Sequence, residues 1–83
     1  MQTLEEVRKI VTATLDLGSR GERLKVDSDL LGSLPELDSM AVMSIVTALE
    51  ERFAIVVDDD DISAKTFSTL GSLSDFVDQK MSA

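Results

Sequence analysis

The sequence contains no cysteine and no histidine, and both absences narrow what it can do. Without cysteine there are no disulfides, no thiolate metal ligands and no thiol nucleophile. Without histidine the usual general base of serine and cysteine hydrolases is missing, as is the commonest metal ligand. Tryptophan and tyrosine are absent and only three phenylalanines occur, so stacking platforms for single-stranded nucleic acid are lacking. No apolar run approaches the ~20 residues of a membrane span, and the N-terminus shows no signal-peptide pattern. What is left, at 83 residues, is one small soluble domain over 1–83, expected in the cytoplasm, with few routes to catalysis of its own.

Charge is present but unevenly spread. Residues 1–26 carry a net +1 and residues 62–83 balance, whereas residues 27–61 hold ten acids against Arg52 alone. The whole net charge of −8 therefore lies in the middle of the chain. DNA or RNA would be repelled by that region, so no nucleic-acid partner is expected. The ordinary reading is a solvated acidic face that maintains solubility, and the sharper one is a surface that steers toward basic patches on proteins.

Leu4, Val7, Ile10, Val11 and Leu15 recur at helical spacing, with Thr3 and Glu6 in capping-box positions and Gly18 as a C-cap, predicting a helix over 4–16. Residues 18–38 show no sustained period but are rich in leucine, so this long connection should lie over the core. A short turn of helix is expected around Asp29–Leu31, capped by Ser28. Asp38 is a good N-cap for a strong helix over 39–53, whose Val42, Ile45, Val46, Leu49 and Phe53 share one stripe. Met40, Met43 and Thr47 lie on another side near Ser39, Ser44, Glu50 and Glu51, either beneath the loop or as an exposed strip suited to a partner. Ile55 to Val57 has no second strand to pair with and reads as an extended plug, followed by a helical turn from Ile62 to Phe67. Leu70, Leu73, Phe76 and Val77 form the face of a last helix capped by Ser68 or Thr69 and fading near Lys80. The expected fold is all-α: a small four-helix bundle, three principal helices plus a short one, with a long first loop.

Asp27-Ser28-Asp29 with Gly32 imitates the start of an EF-hand, but Leu31 stands at the fifth position and Asp38 where the bidentate Glu belongs. The run Asp58–Asp61 lacks the alternate spacing of such a loop, so no metal site is assigned. No catalytic residues are assigned either, and no enzyme activity is expected. The constellation with specific chemistry is Asp38-Ser39-Met40. A serine at the first helical position holds its hydroxyl beside unpaired N–H groups, where an attached phosphate meets the positive end of the helix dipole.

Leu37-Asp38-Ser39-Met40, Ala48-Leu49-Glu50-Glu51-Arg52-Phe53 and Phe67-x-Thr69-Leu70…Leu73…Phe76-Val77 resemble the acyl carrier proteins of the phosphopantetheine-binding carrier family, over essentially all 83 residues. The resemblance implies that Ser39 accepts 4′-phosphopantetheine from coenzyme A as a phosphodiester, its terminal thiol then carrying acyl groups as thioesters. It implies that Asp38 supports this modification by helping to hold a divalent metal, and that Met40, Met43, Thr47, Glu50 and Glu51 face partner enzymes. The partners implied are a phosphopantetheinyl transferase (holo-acyl-carrier synthase) and acyl-transferring and acyl-modifying enzymes with basic docking patches. A monomer is expected, and complete-looking termini suggest that it stands alone.

The chain departs from the fatty-acid-synthesis type at Glu36, where glycine is common, and at Ala41 and Ser44, which are commonly acidic. Leu31-Gly32 is separated from Asp38-Ser39 by five residues, a longer loop than usual. A Leu-Pro-x-x-Asp-Ser-Met loop of this kind resembles carriers of secondary-metabolite or cell-surface pathways. The expected role is thus acyl carriage in fatty-acid, polyketide or a related specialised biosynthesis. The alternatives are a peptidyl, aryl or D-alanyl carrier using the same Ser39, or an unmodified acidic helical adaptor.

Overall fold

Apolar residues at helical spacing build three long helices, and tertiary contacts decide the connections. A computed structural model describes residues 2–32 and 34–82; Ser33, in the long loop, lies outside the described residues. Helix α1 spans Gln2–Leu15, α2 Ser19–Glu22, α3 Ser39–Phe53 and α4 Leu70–Ser82, with a 3-10 turn at Asp59–Asp61. No strand forms among the described residues, so the chain is the expected all-α bundle. Helix α1 lies against both α3 and α4. The core between them contains Val7 and Val11 of α1, Ile45 and Leu49 of α3, and Leu70, Leu73 and Val77 of α4, all without solvent exposure.

The end of α1 differs from the sequence reading. Gly18 has positive φ (59°) as expected, but the left-handed residue that closes α1 is Asp16 (φ 54°). The Leu17 amide donates to the Thr12 carbonyl at 3.0 Å and the Asp16 amide to Ala13, which closes the helix in a Schellman motif. Gly18 instead opens α2, an element with no apolar period to announce it. Gly21 of α2 is buried so closely against Thr12 that a Cβ would overlap its side chain. At the other end Thr3 does not act as a cap: it lies inside α1, its hydroxyl donating to Asp78 Oδ1 of α4 at 2.7 Å.

The turn of helix expected at Asp29–Leu31 does not form. That stretch runs extended past the start of α4, with an isolated antiparallel bridge between Asp29 and Thr69. The Leu30 amide donates to Ser68 O at 2.8 Å, Leu31 to Phe67 O at 3.0 Å, and Leu70 returns to Ser28 O at 3.0 Å. The backbone groups of this leucine-rich loop are thereby satisfied while Leu30 is buried.

After α3, Ala54 is left-handed (φ 54°) and turns the chain into the extended plug. Ile55 is buried, whereas Val56 points to solvent at 73% exposure. The helical turn expected between Ile62 and Phe67 forms as a single turn, with the Phe67 amide donating to the Ser63 carbonyl at 3.2 Å, and a further 3-10 turn forms on the aspartates because Asp58 and Asp61 cap each other's backbone. At α4 the Ser72 amide donates to Thr69 Oγ1 and the Thr69 amide to Ser72 Oγ, both at 3.0 Å, so Thr69 is the cap.

Candidate functional site

Helix α3 begins where the sequence placed it, because Asp38 is extended (φ −103°, ψ −176°) and its Oδ1 accepts from the Ala41 amide at 2.8 Å. The Asp38 carbonyl takes the Val42 amide at 2.9 Å. The amides of Ser39 and Met40 in the first turn have no acceptor within a helix, so their partial positive charge faces outward beside the Ser39 side chain. Ser39 itself is exposed. Its hydroxyl therefore stands at an anion-tolerant helix terminus open to another protein.

Two depressions meet at this residue. One is a shallow strip along the outer face of α3, formed by Ser39, Met40, Met43, Ser44 and Thr47. Met40 is 79% exposed and Met43 51%, so the second stripe of the helix lies in solvent and not under the loop. The other is a groove of about 330 Å³ between α3 and the chain leading to α4, lined by Leu31, Ser39, Val42, Met43, Ile62, Ser63, Ala64 and Phe67. Its lining is almost wholly apolar, and Phe67 forms a buried wall. Ser39 and Met43 border both, so a group anchored on Ser39 has an apolar recess on one side and the outer α3 strip on the other.

The remaining sequence-selected residues are placed unequally. Thr47 is exposed, with Oγ1 donating to the Met43 carbonyl at 3.0 Å, and Glu51 is exposed. Glu50 is half-buried and its Oε2 accepts from the Val57 amide at 2.9 Å, which fastens the extended plug to α3. Its carboxylate thus has an internal task that the helical spacing did not reveal. The groove was also hidden, since Leu31, Ile62 and Phe67 are distant in sequence and read only as scattered apolar residues.

Three ion pairs tie elements around the site: Arg52–Glu6 between α3 and α1, Arg20–Glu36 between α2 and the loop, and Lys80–Asp61 between α4 and the 3-10 turn. The hydrogen bonds from Arg52, Arg20 and Lys80 hold the Glu6, Glu36 and Asp61 carboxyls below their ordinary range, and Asp61 raises Lys80. Among the described residues no cluster of three or more acidic side chains is arranged to hold a metal ion. No helix described is long and apolar enough to cross a membrane.

Residues 5–77 match the family described as the phosphopantetheine attachment site. The chain is 36% identical over 61 residues to an acyl carrier protein of Campylobacter hominis, covering 74% of this chain and 73% of that one. A solution NMR structure of a holo acyl carrier protein from Nitrosomonas europaea aligns over 100% of both chains with a TM-score of 0.92 and 58% identity.

Proposed function

The chain belongs to the phosphopantetheine-attachment family of acyl carrier proteins, and we propose that Ser39 is where the arm is attached. It is a carrier and not a catalyst, with phosphopantetheine as its prosthetic group. The residues fit that group. Ser39 is exposed at the N-terminus of α3, where the dipole and unpaired amides favour a phosphodiester, and the apolar groove begins beside it. Once attached, the group supplies a terminal thiol on which acyl groups travel as thioesters.

The protein's own residues supply position and recognition. Asp38 caps the helix with Oδ1 and leaves its other oxygen as a carboxylate ligand for a magnesium ion during transfer from coenzyme A. Met40, Met43 and Thr47 form the strip that meets the transferase and the acyl-handling enzymes, with Glu51 and the outward side of Glu50 steering basic patches toward it. Within the carrier class, the apolar groove favours an apolar acyl cargo over a charged aminoacyl one, in keeping with fatty-acid, polyketide or related biosynthesis. Residues 1–83 act as one carrier domain.

The observation that carries this reading is the position of Ser39 on the shared rim of the strip and the groove. Protein purified from a native host tests it. Fragmentation should map a single phosphopantetheine to Ser39, and the acyl groups released from the thiol should be apolar. An arm mapped to another serine contradicts the site assignment.

A further inference from the structure

The five residues leading into the attachment site are held by their own turns, by the Leu34 amide on the Leu30 carbonyl at 3.0 Å and by the packing of Leu34 and Leu37 on the core. Leu37 donates to the Leu34 carbonyl at 3.0 Å, and the Asp38 amide donates to the Glu36 carbonyl at 3.1 Å. Leu37 is buried, but the hydrogen bonds that secure Leu30 and Leu31 to Ser68 and Phe67, just before α4, stop before this segment. Leu34 and Leu37 pack on the core, but among the described residues the polar side-chain link from residues 34–37 to another element is the Arg20 guanidinium on Glu36 Oε2. The other oxygen, Glu36 Oε1, is shielded from solvent and has no hydrogen-bond partner among the described residues, so the carboxylate is turned against the protein and leans on Arg20 for compensation.

Arg20 stands on a rigid base. Gly21, its neighbour in α2, is packed into Thr12 of α1, and the Arg20 and Gly21 amides are bonded to Leu17 and Gly18. The pair therefore joins a fixed point on α1–α2 to the residue whose carbonyl receives the amide of Asp38. We propose that Arg20 and Glu36 are positioning residues for the modification of Ser39. Their ion pair holds the Leu34–Leu37 approach so that Asp38 and Ser39 meet the transferase already ordered. This inference rests on Ser39 as the attachment site, and it assigns a role to a contact that neither touches coenzyme A nor belongs to the docking strip.

The expected effect is small and specific. An ion pair half open to solvent contributes little, so its loss should raise the transferase KM for the carrier by about two- to fivefold. The kcat should not change, because an ordered complex, once formed, presents the same hydroxyl. Arg20→Gln and Glu36→Gln should both show this, with melting temperatures only slightly lowered. The swap Arg20→Glu with Glu36→Arg should restore most of the wild-type KM. The ratio of variant to wild-type KM should shrink at high salt, which screens the pair.

Amide hydrogen exchange on the unmodified proteins gives a readout that does not depend on which serine is modified. Asp38 should exchange faster in both single variants and recover in the swap. A wild-type chain modified elsewhere would overturn the Ser39 assignment, while the exchange result would still report on the ordering itself. Unchanged exchange at Asp38 in Arg20→Gln overturns the positioning role. So does a KM loss that the swap fails to rescue, since that result makes Glu36 or Arg20 a direct contact of the transferase.

Discussion

The Gly71 amide donates to the Val26 carbonyl at 2.8 Å across a gap too narrow for a methyl group. A Cβ at Gly71 would lie 2.6 Å from both that oxygen and Val26 Cγ2. The long loop is thus pressed onto the first turn of α4 at a point where backbone meets backbone. Gly71→Ala gains helix propensity of about 1 kcal/mol. It should nonetheless destabilise by a net ~1–3 kcal/mol, because a carbonyl cannot rotate aside as a side chain does. Denaturant unfolding measures the loss, and amide exchange at Leu30 and Leu31 should rise with it.

The two faces of α3 should respond differently to truncation. Leu49 is fully buried, so Leu49→Ala should cost ~2–5 kcal/mol. Met43 is 51% exposed, and Met43→Ala should leave the unfolding midpoint almost unchanged while slowing acyl transfer to a partner enzyme. Equal destabilisation by both substitutions would contradict the assignment of the strip as a docking face.

Acid should weaken the ion pairs in a defined order of sign. Glu6, Glu36 and Asp61 have folded pKa values depressed by Arg52, Arg20 and Lys80. Each contributes stability that is present above its ordinary value of 4.5 or 3.8 and is lost as pH falls through the lower folded one. Lys80 is raised above 10.5, so its contribution is complete below that pH and disappears as pH climbs through the folded value. Asp61→Asn should therefore flatten both limbs of the stability profile, whereas Glu6→Gln should flatten the acid limb alone.

Salt should act in the opposite direction at neutral pH. Sixteen acids face eight bases, and Asp58–Asp61 crowd into a single turn in which Asp61 is paired with Lys80. Repulsion within this surface outweighs a few exposed pairs of small individual worth. Raising ionic strength or adding millimolar magnesium should increase the melting temperature, an effect already strong near 0.1 M where the screening length is ~10 Å. A melting temperature indifferent to salt would show that the acids are too dispersed to repel.

Much of the site was legible because it depends on local chemistry. Asp38 as cap, Ser39 as first helical residue and the Val42 to Phe53 stripe all follow from a side chain and its next turn. The features that escaped are set by distant residues. Nothing within Gly18 to Glu22 marks α2, because Gly21 is required by Thr12 of another helix. Asp29–Leu31 carries a plausible cap, yet its amides are taken by Phe67 and Ser68, which outcompete a single turn of helix. The aspartate run reads as a charge cluster, while its structure comes from mutual capping by Asp58 and Asp61. Glu36 stood out as a departure from the fatty-acid type, but only the fold brings Arg20 to it.

The central claim, that this is a carrier whose arm is attached at Ser39, has one direct measurement. Intact mass should be recorded after incubation with coenzyme A, magnesium and a broad-specificity phosphopantetheinyl transferase. The wild type should gain one phosphopantetheine mass, Ser39→Ala should stay folded and gain none, and Asp38→Ala should be modified poorly while losing ~1 kcal/mol of cap stability. A wild type left unmodified by several competent transferases, or an adduct that persists in Ser39→Ala, would contradict it.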